Sequence, residues 1–211
     1  PRMPKPKMIS LGVDVARGGD DNTVISRVSS DLWFDELIEY PGKETPDGPS
    51  TAGMIIAANH SHAPIHIDVI GVGASPYDFL NQASQQVLGI NVSEKATGTD
   101  KSGRLSFLNQ RSELWWRFRE LLDPTANNGI ALPPGNDILA ELSAPKWVLR
   151  GSTIYVESRE EIVKRIRRSP DRATAMILAA IRTPTELPGG GHGYGNHDRG
   201  AARRSCGPFP R

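Results

Sequence analysis

The stretch LGVDVARGGDDNTVI, residues 11–25, places an aspartate at the end of an apolar run and follows it with a glycine turn and two more acids. Read together with the preceding Lys7–Ser10, it alternates. Ile9, Leu11, Val13 and Val15 share one face of a strand, while Ser10, Gly12 and Asp14 share the other. Asp14 therefore projects from the polar face near the strand's end. RGGDDN reads as a turn in which Asp20 and Asp21 are local, Asp21 bonding its own backbone, with metal contact by Asp21 as the minority reading. TVISRV and LWFDELIEY read as two further strands, and the short connections predict an antiparallel meander.

Outward from that stretch the pattern changes. Residues 49–60 predict a helix capped by Ser50 or Thr51. APIHIDVIGVGAS predicts a strand with Ile65, Ile67 and Val69 on one face and Asp68 on the other, and PYDFLNQASQQ a helix. VLGINVSE predicts a strand, and residues 103–124 a long helix whose core stripe is Leu114, Phe118 and Leu121 or Leu122. APKWVLRGSTIYVES predicts a hairpin turning at Arg150, Gly151 and Ser152, and residues 159–181 two helices split by Pro170. The order implies an α/β fold: a mixed sheet, antiparallel in its first half and parallel in its second, flanked by helices, with an added β-hairpin.

Composition narrows the class. The 211 residues are 37% hydrophobic and 23% charged, as expected of one good-sized globular domain, and a net charge of +1 gives no overall basic field. The single cysteine, Cys206, excludes an internal disulfide and suits a reducing cytoplasm. No apolar run is long enough to span a membrane, and PRMPKPKM lacks the apolar core of a signal peptide. That opening reads as a linker remnant, residues 1–7, ahead of a domain over 8–182. From Thr183 on, seven glycines, four prolines and four arginines in 29 residues predict a flexible tail over 183–211. His192 and His197 in it could bind metal, but disorder is the stronger reading.

Asp14 and Asp68 each stand opposite the apolar stripe of their strand, and such strands can lie side by side. Two carboxylates so placed could share a divalent cation, since Mg²⁺ and Mn²⁺ prefer carboxylate oxygens. The bland alternative is that both cap strand ends in polar loops. His66, on Asp68's side by alternation, reads as a packed histidine rather than a ligand. A phosphate loop is a poor alternative, because the stretch lacks the Lys-Ser/Thr ending. An actin-like ATPase also opens with a strand aspartate and a glycine turn, but Asp20 and Asp21 would repel nucleotide phosphates. In RRSPDRATAM, Ser169 as cap, Pro170 at the first helical position and Asp171 in the first turn make an ordinary helix start.

Taken in order, LGVDVARGGDDNTVI, IHIDVIGVGASPYDFL, LNQRSELWWRFRELL and SREEIVKRIRRSPDRATAMILA resemble the nuclease domain of tailed-bacteriophage large terminase subunits, the DNA-packaging motors. The resemblance runs from Met8 to Ile181. It implies a ribonuclease H-like fold and a metal-dependent endonuclease that cuts concatemeric viral DNA with two Mg²⁺ or Mn²⁺ ions held by three acids. Carried over, the acids fall on Asp14, Asp68 and Asp171. Family members often place the third acid one turn later, where this chain has Thr174, and Asp171 shares a helix face with that position. The alternative is a catalytically weak DNA-gripping module of the motor. The resemblance further implies double-stranded DNA, the motor's ATPase domain (whose phosphate loop this chain lacks), the portal and the small terminase subunit as partners, and the host bacterial cytoplasm as the setting.

DNA over the acids needs nearby cations. Residues 159–172 hold six, Arg159, Lys164, Arg165, Arg167, Arg168 and Arg172, against the acids Glu160, Glu161 and Asp171. Lys164, Arg165, Arg167 and Arg168 are the leading phosphate contacts, and Lys146 and Arg150 follow because the family's hairpin flanks the cleft. Trp115 and Trp116 could stack on bases, although their amphipathic helix favours core packing for at least one.

Overall fold

The computed structural model describes residues 6–16, 18 and 21–182. Residues 1–5 of the expected linker, Asp20 and the expected tail with His192 and His197 lie outside the described residues. Five strands form the main sheet: β1 (Met8–Asp14), β2 (Asn22–Ser29), β3 (Ile38–Pro41), β4 (Ile65–Asp68) and β5 (Val87–Ile90), in the order β3-β2-β1-β4-β5. β1, β2 and β3 pair antiparallel, and β1, β4 and β5 pair parallel. The mixed sheet predicted from element order is the one observed.

Two helices, α1 (Gly48–Ala58) and α2 (Ala74–Gln82), form the first crossovers. Leu11, Val13, Ile25, Ile65 and Ile67 pack with Ala52 and Ile55 of α1 and Leu80 of α2 in one apolar cluster. On the opposite face lies α6 (Asp171–Ala179), which carries Ala173, Met176 and Ile177 into a second cluster with Phe34, Phe118 and Ile154. The face of β1 that sequence marks as polar is therefore buried, because Ser10 and Gly12 lie under α6. Glycine at position 12 is required there: a Cβ would fall 2.1 Å from the Ala175 carbonyl and from the Ala179 amide. Ser10 bonds His66 Nδ1 at 2.9 Å in the same layer, and His66 Nε2 has no partner.

Three further elements build the outer layer: α3 (Gln110–Leu121), α4 (Asn136–Ser143) and α5 (Arg159–Ile166). A small sheet of β6 (Ser106–Phe107), β8 (Thr153–Val156) and β7 (Trp147–Arg150) stands beside them. The β7–β8 hairpin turns at Gly151, whose φ of +61° is the left-handed conformation glycine adopts without strain. The helix expected over 103–124 begins only at Gln110. Asp100 gathers the amides of Arg104 and Leu105, which turns Ser106 and Phe107 into pairing with β8, and Asn109 then caps α3 through the Ser112 amide.

Other starts also differ from expectation. The cap of α1 is Asp47, which accepts from the Ser50 amide at 2.8 Å, rather than Ser50 or Thr51. LWFDELIEY keeps only Ile38–Tyr40 in the sheet, because Trp33 and Phe34 leave to bridge Ala131 and Val28. At α6, Ser169 does not cap, since its hydroxyl is held by Arg159; the buried Glu141 of α4 instead accepts from the Ala173 amide at 3.1 Å. Trp115, Trp116 and Phe118 are the buried hydrophobic residues of α3, with Leu114, Leu121 and Leu122 packed partly against their cluster. Trp116 lies edge-on to Trp147 with centroids 4.9 Å apart, so both tryptophans of α3 serve packing rather than an open stacking platform. No helix among the described residues is long and apolar enough to cross a membrane.

Candidate metal centre

Asp14 and Asp68 end two adjacent parallel strands. Val13 faces Ile67 in register, so the next step along each strand sets Asp14 and Asp68 side by side on strands spaced about 4.8 Å apart. Ligand sites of open α/β sheets form at such carboxyl ends. Both acids line a cleft of about 270 Å³ that Thr174, Arg111, Arg159 and Glu160 border as well. Asp68 Oδ1 also accepts from the Ile70 amide at 2.9 Å, so the strand-end cap is present alongside the cleft role.

The electrostatics single out Asp14. Burial pushes its carboxyl well above the usual carboxylate range, the charges of Asp171 and Asp68 push it further, and Arg159 and Arg111 only partly offset them. Burial likewise raises Asp68, against the Ile70 amide, Arg111 and Arg159. Two such carboxylates fit a hard divalent cation, which would relieve their repulsion, and Mg²⁺ sites commonly use one or two carboxylates with substrate phosphate completing the shell. Asp14 and Asp68 would hold that ion. His66 is not part of this set, because its ring is fully buried under α6; that burial lowers its pKa to about 4.

The third acid is placed differently from the other two. Asp171 sits at the start of α6 beside Asp14, but its oxygens accept from the Asn22 amide and from Arg159, each at 3.3 Å, and it does not line the cleft. Thr174 lines it instead, with its hydroxyl donating to the Pro170 carbonyl at 2.9 Å. Among the described residues no group of three His, Cys, Asp or Glu side chains is gathered closely enough to hold an ion. Arg159 occupies Asp171 instead. Its Nη2 bridges Asp21 at 2.9 Å and Asp171 at 3.3 Å, and its Nε donates to Ser169. Burial works against the charge on Arg159, yet Asp14, Asp171 and Asp21 outweigh it and bind the proton more tightly. Asp21, read from sequence as a turn residue, is thus a partner of Arg159.

The predicted phosphate contacts scatter. Arg165 pairs with Glu157 and the Ala144 carbonyl, and Arg168 pairs with Asp137 at 2.7 Å. Arg172 is held between Glu39 and Glu141. Lys164 and Arg167 are exposed on α5 and at its end; Lys146 is exposed before the hairpin, and Arg150 lies over the Tyr155 ring at 4.7 Å. Sequence reasoning did not single out Arg111 or Glu160 as cleft residues. Nothing in the local pattern marks them, since only the approach of α3 and α5 to the strand ends brings them there.

No family model and no curated protein matches the sequence. Solved structures do resemble the fold. The nuclease domain of the large terminase subunit gp2 of bacterial virus Sf6 superposes with a TM-score of 0.64 at 16% identity, over 82% of this chain and 88% of that one. A variant of that domain with manganese gives 0.64 at 14% identity over 82% and 88%. The large terminase nuclease of thermophilic phage G20c with bound magnesium gives 0.59 at 18% identity over 83% and 82%. The likeness establishes the fold, the ribonuclease H-like mixed sheet of terminase nuclease domains.

Proposed function

We propose that this chain is the metal-dependent endonuclease domain of a phage large terminase and cuts concatemeric viral DNA during packaging. The observation that carries the reading is the pair Asp14 and Asp68, set side by side at the ends of neighbouring parallel strands, each with its negative charge opposed by burial. Solved structures of the same fold with manganese or magnesium support it.

In this reading Asp14 and Asp68 would hold the Mg²⁺ or Mn²⁺ ions, and Asp171, here paired with Arg159, would help to hold the second of two. Such ions make water nucleophilic near neutral pH and neutralise charge on the phosphate. The chain's own residues do the positioning. β1 and β4 fix the two carboxylates, the Ile70 amide orients Asp68, and Arg159 balances the negative charge of Asp14 and Asp171. Lys164, Arg167, Lys146 and Arg150 are the exposed cations for the DNA backbone, giving sequence-tolerant contacts that weaken as salt rises. The ATPase domain, the portal and the small terminase subunit would be its partners in the host cytoplasm.

One observation favours a second reading, a gripping module with feeble chemistry: from α6 it is Thr174, and not Asp171, that lines the cleft. Plasmid nicking with Mn²⁺ separates the two. The nuclease reading expects cutting that Asp14→Asn or Asp68→Asn reduces at least about 100-fold. DNA binding without any metal-dependent cutting would select the gripping module.

A further inference from the structure

Arg111 reaches the cleft from the first turn of α3 with its guanidinium only partly used. Its backbone amide donates to the Val92 carbonyl at 2.9 Å, its Nε donates to the Glu157 carbonyl at 3.1 Å, and its Cζ lies 5.5 Å from the Trp115 ring centre. These contacts fix the plane of the group. Nη2, by contrast, is buried without a hydrogen-bond partner. Glu160, Asp14 and Asp68 attract the charge across the cleft, but none of them bonds it. A guanidinium stays protonated in such surroundings. An unpaired N–H on a held cation is costly and calls for a missing acceptor.

Arg111 lines the same cleft as Asp14 and Asp68, and an anionic acceptor entering there would complement its charge. Arg159 is ill suited to receive it, because its Nη2 is committed to Asp21 and Asp171. We infer that Arg111 binds a non-bridging oxygen of the DNA phosphodiester to be cut and stabilises the charge that gathers there during hydrolysis. This inference rests on the nuclease reading. As the water oxygen bonds to phosphorus, the bond to the 3′-oxygen breaks; one water proton ends on that oxygen, leaving a 3′-hydroxyl and a 5′-phosphate. Arg111 keeps its own protons and acts as a preset donor to the phosphoryl oxygen.

The test compares the parent chain with Arg111→Ala and Arg111→Lys. Binding of a short duplex in EDTA, followed by anisotropy across a salt series, reads the phosphate contact without metal. Arg111→Ala should lower the slope of log K against log salt by about 0.9, the share of one phosphate. Plasmid nicking in Mn²⁺ should fall about 100-fold or more in kcat for Arg111→Ala. Arg111→Lys, which keeps the charge but loses the fork, should keep the slope and still cut at least tenfold more slowly. A purely structural Arg111 would lower the thermal midpoint and leave the slope at the parent value, and that result overturns the inference. So does parent-level cutting by Arg111→Ala. If Arg111→Ala does not fold, Arg111→Lys decides, and parent-level cutting by it rejects the fork. Failure of the parent itself to nick removes the nuclease reading, while the slope still reports on the phosphate contact.

Discussion

Asp14 carries a charge that its surroundings oppose twice, through burial and through Asp171 and Asp68. Removing the charge should therefore stabilise the metal-free protein: Asp14→Asn is expected to gain about 1 kcal/mol in urea unfolding. If the two acids hold the proposed ion, Mn²⁺ is expected to raise the thermal midpoint of the parent and to leave that of Asp14→Asn unchanged, because ligand-linked stabilisation needs the binding site. A loss of metal-free stability in Asp14→Asn would contradict the electrostatic account. At this scale much of the site was legible. Alternation puts Asp14 and Asp68 opposite the apolar stripes of two strands, and the resemblance makes them a pair. What alternation cannot reveal is which charges meet across the fold. Arg159 reaches Asp21, 138 positions away in the chain, and Arg111 reaches the cleft only because α3 docks there. Read along the chain alone, Arg159 belongs to a basic run; in three dimensions it pairs with Asp21 and Asp171.

Among the elements, α6 is seated closely on β1. Its alanines let it approach β1 until Gly12 touches its backbone, and the buried Glu141 on α4 satisfies the Ala173 amide in its first turn. Gly12→Ala is expected to cost about 3 kcal/mol, at the upper end for overpacking because the collision is with backbone and not with a movable side chain. Since α6 carries Asp171 and Thr174, the displaced helix should also weaken Mn²⁺ binding, measured by calorimetry on folded variant. A variant of parent stability would show that α6 can ride up freely. Element types and their order were readable from periodicity, and the sheet followed from them. Helix starts were less readable. Asp47 outcompeted two hydroxyl residues for the cap of α1, and β6 exists only because β8, 47 positions on, offers an edge to Ser106. Such choices are made by tertiary partners, which a local window does not contain.

At the scale of the whole molecule, pH acts through His66. Unfolded, its ring takes a proton near pH 6.5; folded, fully buried with Nε2 unpartnered, it resists protonation until about pH 4. Between those values the unfolded chain binds the extra proton, so this contribution is intact above about pH 6.5 and is lost as pH falls toward 4, by roughly 3 kcal/mol. Asp14 and Asp68 act in the opposite sense, because their raised values favour the folded state as acid is added. The histidine's part is therefore read as a difference: urea midpoints at pH 7 and 4.5 should drop further in the parent than in His66→Gln. Equal drops would reject it. The position of the acids has a consequence for durability. β1 is hydrogen-bonded between β2 and β4, and β4 between β1 and β5, so neither carboxylate stands on a strand that can peel from an edge. Backbone amides in such interior strands open for hydrogen exchange only when most of the fold opens with them. The backbone placement of Asp14 beside Asp68 is accordingly expected to come with folding itself and to last until most of the sheet opens.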